Sequence, residues 1–210
     1  QYNCKIKILN SPYPDLNTIK TYVLANSKFA DIVELSPGQM VGAAQLGYIT
    51  PWSKCSLIDP KDARWVEYGT KLGSYDGKQY GLPGNFSNVV LVYNKDLFDQ
   101  AGIDYPTADW TQDDVQTAAE AIRALGDDIY GYYQPLTYNE FYKVCAQFGG
   151  SLLNEDKTEF TINSPENVAA AQMMADRVLV SNVQPTDVQM GGMGDWDLFM
   201  SGRLGMIPTG

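Results

Sequence analysis

Residues 75–103 read YDGKQYGLPGNFSNVVLVYNKDLFDQAGI, and this stretch contains a turn signal, a strand signal and a helix cap in succession. Its Asp76-Gly77 pair favours a tight β-hairpin turn, because both residue types accept the backbone conformation that such turns need. The run Val89–Tyr93 is continuously apolar and mostly β-branched or aromatic, which predicts a strand covered on both faces, as in parallel sheets. Asn94 is placed to cap a short helix that ends at Gly102. A buried strand next to a capped helix predicts layered α/β architecture.

Upstream of this stretch, the apolar pattern alternates between the strand period and the helix period. Cys4–Leu9 alternates apolar and basic residues, as a half-buried strand does, and Phe29–Leu35 has the composition of a buried strand. Helices are predicted in three places: from Pro14-Asp15 onward, over Gln39–Leu46 and over Asp59–Tyr68.

Downstream, strands and helices continue to alternate. Thr111 and Asp114 resemble a capping box that opens a helix ended by Gly126, and Ser164 caps a helix with Pro165 at its first position. The remaining predicted elements are the strand Ile129–Tyr133, the helix Tyr138–Phe148, a hairpin over Ser151–Ile162, the end of the Ser164-capped helix near Leu179, the helix Asp195–Met200 and the strand Leu204–Ile207. Strands separated by helices imply right-handed crossovers.

Composition excludes several classes of function. The net charge of −10 and the pI near 4.4 disfavour binding to nucleic acid or to an anionic membrane surface, since both need clustered Lys and Arg. With no histidine in the chain, triad hydrolysis and most zinc chemistry are disfavoured, so we predict no metal site and no cofactor. The three cysteines are best explained as buried thiols, with a Cys4–Cys55 bridge as the alternative.

The quoted stretch carries a family resemblance that further segments extend in the same order. These are Ala30–Val33, Phe148-Gly149-Gly150 and Phe199–Met206. Together they resemble the extracellular solute-binding proteins of bacterial ABC sugar importers, the maltose-binding-protein-like superfamily. The resemblance implies a two-lobed, type II periplasmic-binding-protein-like α/β fold with mostly parallel sheets, a ligand held between lobes that close by hinge bending, and an extracytoplasmic location, in the periplasm or as a surface lipoprotein.

The resemblance also implies where the lobes divide. Residues 1–86 are expected to form part of the first lobe and 87–210 most of the second, with the crossover near 85–88. Members of the family usually begin with a further strand and helix and continue past the position of Gly210. We therefore expect either a fragment of a longer protein or a chain completed by a partner chain, because an incomplete sheet leaves backbone groups unpaired.

A sugar site needs amides and carboxylates for the hydroxyl groups and aromatic rings for the C–H faces. Three groups of residues are candidates for such contacts, although helix capping and ring packing are the competing explanations for each of them. In the first lobe they are Ser36 and Gln39; at the crossover Asn85, Phe86, Ser87 and Asn88; and in the second lobe Tyr132, Tyr133, Tyr138, Asn139 and Trp196, the last after the glycine-rich loop 191–194.

The resulting hypothesis is a binding protein and not an enzyme: it captures a sugar or oligosaccharide reversibly and delivers it to a membrane permease. A surface or sensor carbohydrate-binding protein on the same scaffold is one alternative, and a non-sugar ligand is another. A glycosidase would need two carboxylates about 5 to 9 Å apart across a cleft. The acidic pairs of the chain, such as Asp113-Asp114 and Glu155-Asp156, are instead typical of helix starts and turns.

Overall fold

The computed structural model describes residues 5–9, 16–25, 30–55, 59, 61–62, 65, 67–85 and 87–210. The chain divides into two compact units, Gln1–Ser87 and Asn88–Gly210. Three sequence predictions lie outside the described residues, namely those for Cys4, for the Pro14-Asp15 helix start and for Phe86. Within the described ranges, no helix is both long and apolar enough to span a lipid bilayer.

The first unit is built from short helices and one hairpin. Its elements are α1 (Leu16–Leu24), α2 (Pro37–Gln45), a 3-10 helix (Trp52–Lys54), α3 (Glu67–Leu72), β1 (Ser74–Tyr75) and β2 (Lys78–Gln79). Strands β1 and β2 pair antiparallel, and the turn between them places Asp76 at φ 47° and Gly77 at φ 67°. Two successive left-handed residues are what an Asp-Gly hairpin requires, so the predicted turn is confirmed.

Two strands and one helix predicted for the first unit are wrong in the described part of the chain. Residues 5–9 and 30–35 form no strand, and the side chains of Ile6 and Ile32 are 85% and 76% exposed. A strand exists only where a neighbour accepts and donates its backbone hydrogen bonds, and no described segment pairs with either stretch. The helix predicted over Asp59–Tyr68 begins instead at Glu67.

The second unit contains the larger sheet. Its elements are β3 (Val90–Tyr93), α4 (Lys95–Ala101), α5 (Gln112–Arg123), β4 (Tyr130–Tyr132), α6 (Tyr138–Gln147), α7 (Pro165–Leu179), α8 (Asp187–Met190), α9 (Asp195–Met200) and β5 (Leu204–Thr209). The strand order is β3-β5-β4, with β5 antiparallel to β3 and parallel to β4. The last strand in sequence therefore lies at the centre of the sheet.

Local signals fixed most helix boundaries of this unit. Asn94 accepts the Leu97 N–H at the start of α4, which ends at Gly102 with φ 66°. Thr111 and Asp114 form the predicted capping box of α5, and Ser164 caps α7 with Pro165 at its first position. The predicted caps are therefore confirmed. They could be predicted from the sequence because a cap acts only through neighbouring backbone groups.

Three predictions for the second unit need correction. Strand β3 pairs antiparallel, and Val90 is 54% exposed, so the strand is not covered along its whole length. The segment 151–162 turns back at residues 154–157 as predicted, but its antiparallel pairing is limited to the single bridge between Leu153 and Phe160. Helix α5 ends at Arg123 before reaching Gly126.

Helices cover both faces of this sheet. Across the β3/β5 pair, Tyr93 and Met206 pack with the α4 and α5 side chains, whereas the next pair, Val92 and Ile207, packs with Met190 and Leu198 from α8 and α9. Successive pairs face opposite sides because a strand is pleated. A third apolar cluster joins α6 to α7 through Val144, Cys145, Ala170 and Met174.

Helix α5 lies unusually close to strand β4. A Cβ atom on Gly131 would lie only 2.4 Å from the Cα atom of Ala119. A side chain at this position would therefore push the helix off the sheet. The glycine in the middle of β4 is thus explained by close backbone approach.

Candidate functional site

An open depression lies at the carboxyl end of strand β4, where ligands of open α/β sheets usually bind. Its volume is about 400 Å³. The lining residues come from the strand end and from the α8–α9 segment: Tyr133, Asp187, Met190, Gly192, Met193, Gly194 and Asp195.

The α8–α9 segment owes its shape to capping and glycine. Thr186 opens α8 in a capping box with Gln189. Gly191 at φ 62° and Gly192 at φ 85° then adopt left-handed backbone that ends α8 and turns the chain into α9. The buried side chain of Met190 fixes this turn to the sheet. As a result Asp187 and Asp195, the first residues of the two helices, both face the depression.

Tyr133 is the aromatic wall of the depression. Its backbone N–H donates to the Met206 carbonyl at 3.1 Å, which ties it to the central strand. Burial raises the pKa of the Tyr133 phenol, and the carboxylates of Asp187 and Asp195 raise it further. The phenol is therefore protonated at neutral pH and can donate a hydrogen bond as well as accept one.

Two further rings among the predicted contacts are exposed to solvent. Trp196 follows Asp195 in α9; it is 45% exposed and packs edge-on against Phe199 at 5.7 Å between centroids. Tyr138 opens α6; it is 67% exposed and packs against Tyr142 at 6.0 Å. Asn139 beside it is also exposed. Each of these side chains has a free face for a ligand.

Tyr132 is placed differently from its sequence prediction. It is only 3% exposed, and the guanidinium of Arg177 lies 4.4 Å from its ring centroid. Its hydroxyl donates to Gln134 Oε1 at 3.2 Å. Because successive strand residues face opposite sides, Tyr132 points into the core beneath α5. We therefore correct the prediction and remove Tyr132 from the candidate site.

Sequence reasoning missed the hydrogen bonds made by Gln134, the residue that follows Tyr133. The side chain of Gln184 makes two hydrogen bonds to the backbone of Gln134. The Gln134 N–H donates to Gln184 Oε1 at 3.1 Å, and Gln184 Nε2 donates to the Gln134 carbonyl at 2.8 Å. Gln134 Nε2 donates to Glu140 at 3.0 Å, which holds the first turn of α6. Nothing local in the sequence pairs residues fifty positions apart.

Asp187, Met193 and Asp195 were also missed. Aspartate is common at helix starts because the N-terminal end of a helix favours negative charge. The sequence therefore gives no reason to assign Asp187 and Asp195 a further role. Among the described residues, no group of three or more His, Cys, Asp or Glu could hold a metal ion.

In the first unit, Ser36 and Gln39 form a capping box at the start of α2. Gln39 Oε1 accepts the Ser36 N–H at 3.0 Å, and Ser36 Oγ accepts the Gln39 N–H at 3.4 Å. At the predicted crossover, Asn85, Ser87 and Asn88 are exposed and belong to no helix or strand. Their roles in ligand binding stay predictions.

Comparison with known proteins gives a consistent set of relatives. A binding protein of Brucella abortus is 32% identical over 184 residues, covering 86% of this chain and 44% of the relative. The sn-glycerol-3-phosphate-binding periplasmic protein UgpB of Agrobacterium fabrum is 27% identical over 189 residues, covering 84% of this chain and 42% of the relative. The solved structure of the ABC substrate-binding protein Lmo0181 from Listeria monocytogenes, in complex with cycloalternan, is 41% identical at a TM-score of 0.81.

That structural match covers 92% of this chain and 50% of the Listeria chain, so the chain spans about half the length of its relatives. The fold is that of the type II periplasmic binding proteins. The family model described as bacterial extracellular solute-binding protein matches residues 1–210. The chain therefore belongs to the bacterial extracellular solute-binding protein family.

Proposed function

We propose that this protein is the substrate-binding component of an ABC importer, which captures a carbohydrate reversibly outside the cytoplasm and delivers it to a membrane permease. The observation that carries the proposal is the depression at the end of β4, which Tyr133 and the carboxylates of Asp187 and Asp195 line together. Family membership supports the transport role. The 41% identical Listeria protein, solved with cycloalternan, supports a saccharide ligand.

The chemistry of the depression suits a sugar. A pyranose ring presents hydroxyl groups at its edge and C–H groups on its faces, so it binds best where hydrogen-bond acceptors flank an aromatic surface. Asp187 and Asp195 supply the acceptors, and Tyr133 supplies both a ring and a hydroxyl group.

We propose that the contact surface of the second unit consists of Tyr133, Tyr138, Asn139 and Trp196 together with the lining of the depression. Ser36, Gln39, Asn85, Phe86, Ser87 and Asn88 are proposed as further contacts, with residues 1–86 and 87–210 as parts of two lobes. A location in the periplasm or at the cell surface as a lipoprotein belongs to the same proposal.

A thermal-shift screen tests this function directly. A ligand that binds only the folded protein stabilises it by RT ln(1 + [L]/Kd), which is about 2.7 kcal/mol at about 100 times Kd. The panel contains mono- and oligosaccharides, with cycloalternan among them. We expect at least one neutral saccharide to raise the melting temperature. No shift with any saccharide, together with hydrolysis of a chromogenic glycoside, would contradict the proposal.

Replacing Tyr133 tests the site. We expect Tyr133→Ala to weaken binding of the most strongly stabilising saccharide by about 1 to 3 kcal/mol, as truncation of a buried aromatic anchor does. Isothermal titration calorimetry measures the change. Phe160→Ala is the matched control, because Phe160 is an aromatic residue of the same unit that is 80% exposed and does not line the depression. Equal dissociation constants for the wild type and Tyr133→Ala would remove Tyr133 from the site.

A further inference from the structure

The side chains that line the depression at the end of β4 carry negative charge and no positive charge. Two of its seven lining residues are aspartates, and none is a lysine or arginine. Asp195 Oδ1 accepts the backbone N–H of Trp196 at 2.8 Å, which leaves lone pairs on both carboxylate oxygens for a ligand. A group that enters the depression therefore meets hydrogen-bond acceptors with negative charge.

The cations of the second unit do not lie at the depression. The unit has six lysines and arginines, all within its described residues 88–210. Five of them have partners elsewhere: Lys95 lies over the Tyr105 ring, Arg123 over the Tyr130 ring, Lys143 beside Glu140, Arg177 over the Tyr132 ring and Arg203 beside Asp128. The sixth, Lys157, lies in the turn of the 151–162 segment with φ 58°.

Helix starts do not compensate for the missing cations. Both α8 and α9 carry an aspartate at their first residue, which places negative charge at each helix start; the Gln189 N–H of α8 donates to the Thr186 hydroxyl, and the Trp196 N–H of α9 donates to Asp195. Recognition of a phosphate group normally uses Arg, Lys or open helix N-termini. Burial raises the pKa of Tyr133, and the negative charges of Asp187 and Asp195 raise it further.

We propose that Asp187 and Asp195 determine specificity: they accept hydrogen bonds from the hydroxyl groups of an uncharged sugar and exclude polyols that carry a phosphate group. The inference rests on the proposed function and narrows its ligand class. It separates this protein in specificity from its relative named for sn-glycerol 3-phosphate.

Matched pairs of neutral and phosphorylated ligands test the inference. The pairs are glycerol with sn-glycerol 3-phosphate, glucose with glucose 6-phosphate and maltose with maltose 1-phosphate, together with the best neutral saccharide of the thermal-shift panel. Binding is measured by calorimetry on the protein in its full encoded length. We expect each phosphorylated compound to bind at least about tenfold more weakly than its neutral partner, since the charged acceptors favour hydroxyl donors and repel the phosphate.

The variant Asp187→Asn/Asp195→Asn separates specificity from general charge. It keeps an oxygen acceptor at each position but removes both charges, so we expect about tenfold weaker binding of the neutral saccharide and a smaller disadvantage for the phosphorylated compounds. Asp113→Asn/Asp127→Asn is the control, because it removes the same charge at exposed positions outside the depression. Circular dichroism and the melting temperature verify that each variant is folded.

The possible outcomes distinguish a failure of the specificity inference from a failure of the proposed function. If a phosphorylated compound binds as tightly as its neutral partner, or more tightly, the inference is overturned, but the proposed capture of a solute stands. An unchanged ratio of neutral to phosphorylated affinity in the Asp187→Asn/Asp195→Asn variant also overturns it. If no saccharide or polyol binds the wild type, the proposed function fails and the inference fails with it.

Discussion

Among the fully buried side chains of the described residues, Arg177 is the largest, and its hydrogen-bond acceptors are uncharged. Its Nε donates to Gln116 Oε1 at 3.1 Å and its Nη2 donates to Gln112 Oε1 at 2.9 Å. Its guanidinium carbon lies over the Tyr132 ring, 4.4 Å from the ring centroid. Burial lowers the pKa of Arg177, and the Tyr132 group partly offsets this effect. The arginine thus joins α7 to α5 and β4 by stacking and directed donors, which a lysine could not reproduce.

We expect Arg177→Ala to lower the free energy of unfolding by about 2 to 4 kcal/mol, because it removes packing and leaves two partly buried amide oxygens without these donors. Urea denaturation measures the loss. Arg203→Ala is the control: Arg203 is likewise a hydrogen-bonding arginine of this unit, donating to the Asp128 carbonyl, but its side chain is 33% exposed. We expect the control to change stability by less than about 1 kcal/mol. Similar effects of the two substitutions would contradict the structural role of Arg177.

Tyr132 gives the protein an alkaline sensitivity. Burial raises its pKa to about 12, against a partly opposing effect of Arg177. The unfolded chain loses this proton near pH 10 while the folded chain keeps it, so stability is full below about pH 10 and falls as the pH rises toward 12. We expect a loss of about 1 to 2 kcal/mol between about pH 9 and about pH 11 from this residue.

The comparison with Tyr132→Phe isolates this contribution from the other tyrosines. At neutral pH the variant is expected to be about 1 kcal/mol less stable, because its hydrogen bond to Gln134 is lost. The difference between the two proteins should shrink as the pH rises, since only the wild type loses stability through this group. A difference that is constant across this pH range would show that Tyr132 is not buried as described.

At the scale of the elements, the contact between α5 and β4 depends on Gly131. A Cβ atom there would lie 2.0 Å from the Ala119 carbonyl oxygen, a backbone atom that cannot rotate away. We expect Gly131→Ala to lower the free energy of unfolding by about 1 to 3 kcal/mol, as overpacking of a well-filled core does. Differential scanning calorimetry measures the change.

Gly126→Ala is the matched control for this prediction. Gly126 follows α5, and a Cβ atom there meets only Ile129 Cγ1 at 3.5 Å, which is ordinary van der Waals contact. The control should leave the melting temperature nearly unchanged. Equal melting temperatures for Gly131→Ala and the wild type would mean that α5 packs further from the sheet.

Elements defined by neighbouring residues could be predicted from the sequence, and elements defined by distant partners could not. The caps at Asn94, Thr111 and Ser164 act within four residues, so their helices begin as predicted. Residues 5–9 have the alternation of a strand but no described pairing partner. The antiparallel pairing of β3 depends on β5, more than 100 residues later in the chain, which composition does not reveal.

The same distinction applies to the site. Tyr133 and Trp196 could be nominated because aromatic rings at a strand end and after a glycine-rich loop are visible in the sequence. The Tyr132 ring is in contact with Arg177, which reaches strand β4 from helix α7, more than 40 residues later in the chain. The role of Asp187 and Asp195 depends on the fold of the α8–α9 segment, which brings both side chains to one depression.

At the scale of the whole molecule, the sheet of the second unit is completed by its last strand, β5. β5 lies between β3 and β4, and Leu204, Met206 and Ile207 are each no more than 1% exposed. Because β3 and β4 bond to β5 and not to each other, the sheet cannot form before residues 204–209 are in place. The helices on both faces depend on the same strand, since its side chains belong to the apolar clusters of both faces.

Met206→Asp therefore tests whether the second unit folds as one cooperative body. A charge at this fully buried position has no partner, and burying an unpaired charge typically costs more than about 3 kcal/mol. We expect hydrogen exchange to show simultaneous loss of amide protection in β3, α5 and β4, because all three depend on β5. Thr209→Asp, at the half-buried end of the same strand, should retain protection. Protection that persists in β3 or β4 of the Met206→Asp protein would show that the sheet does not depend on its central strand.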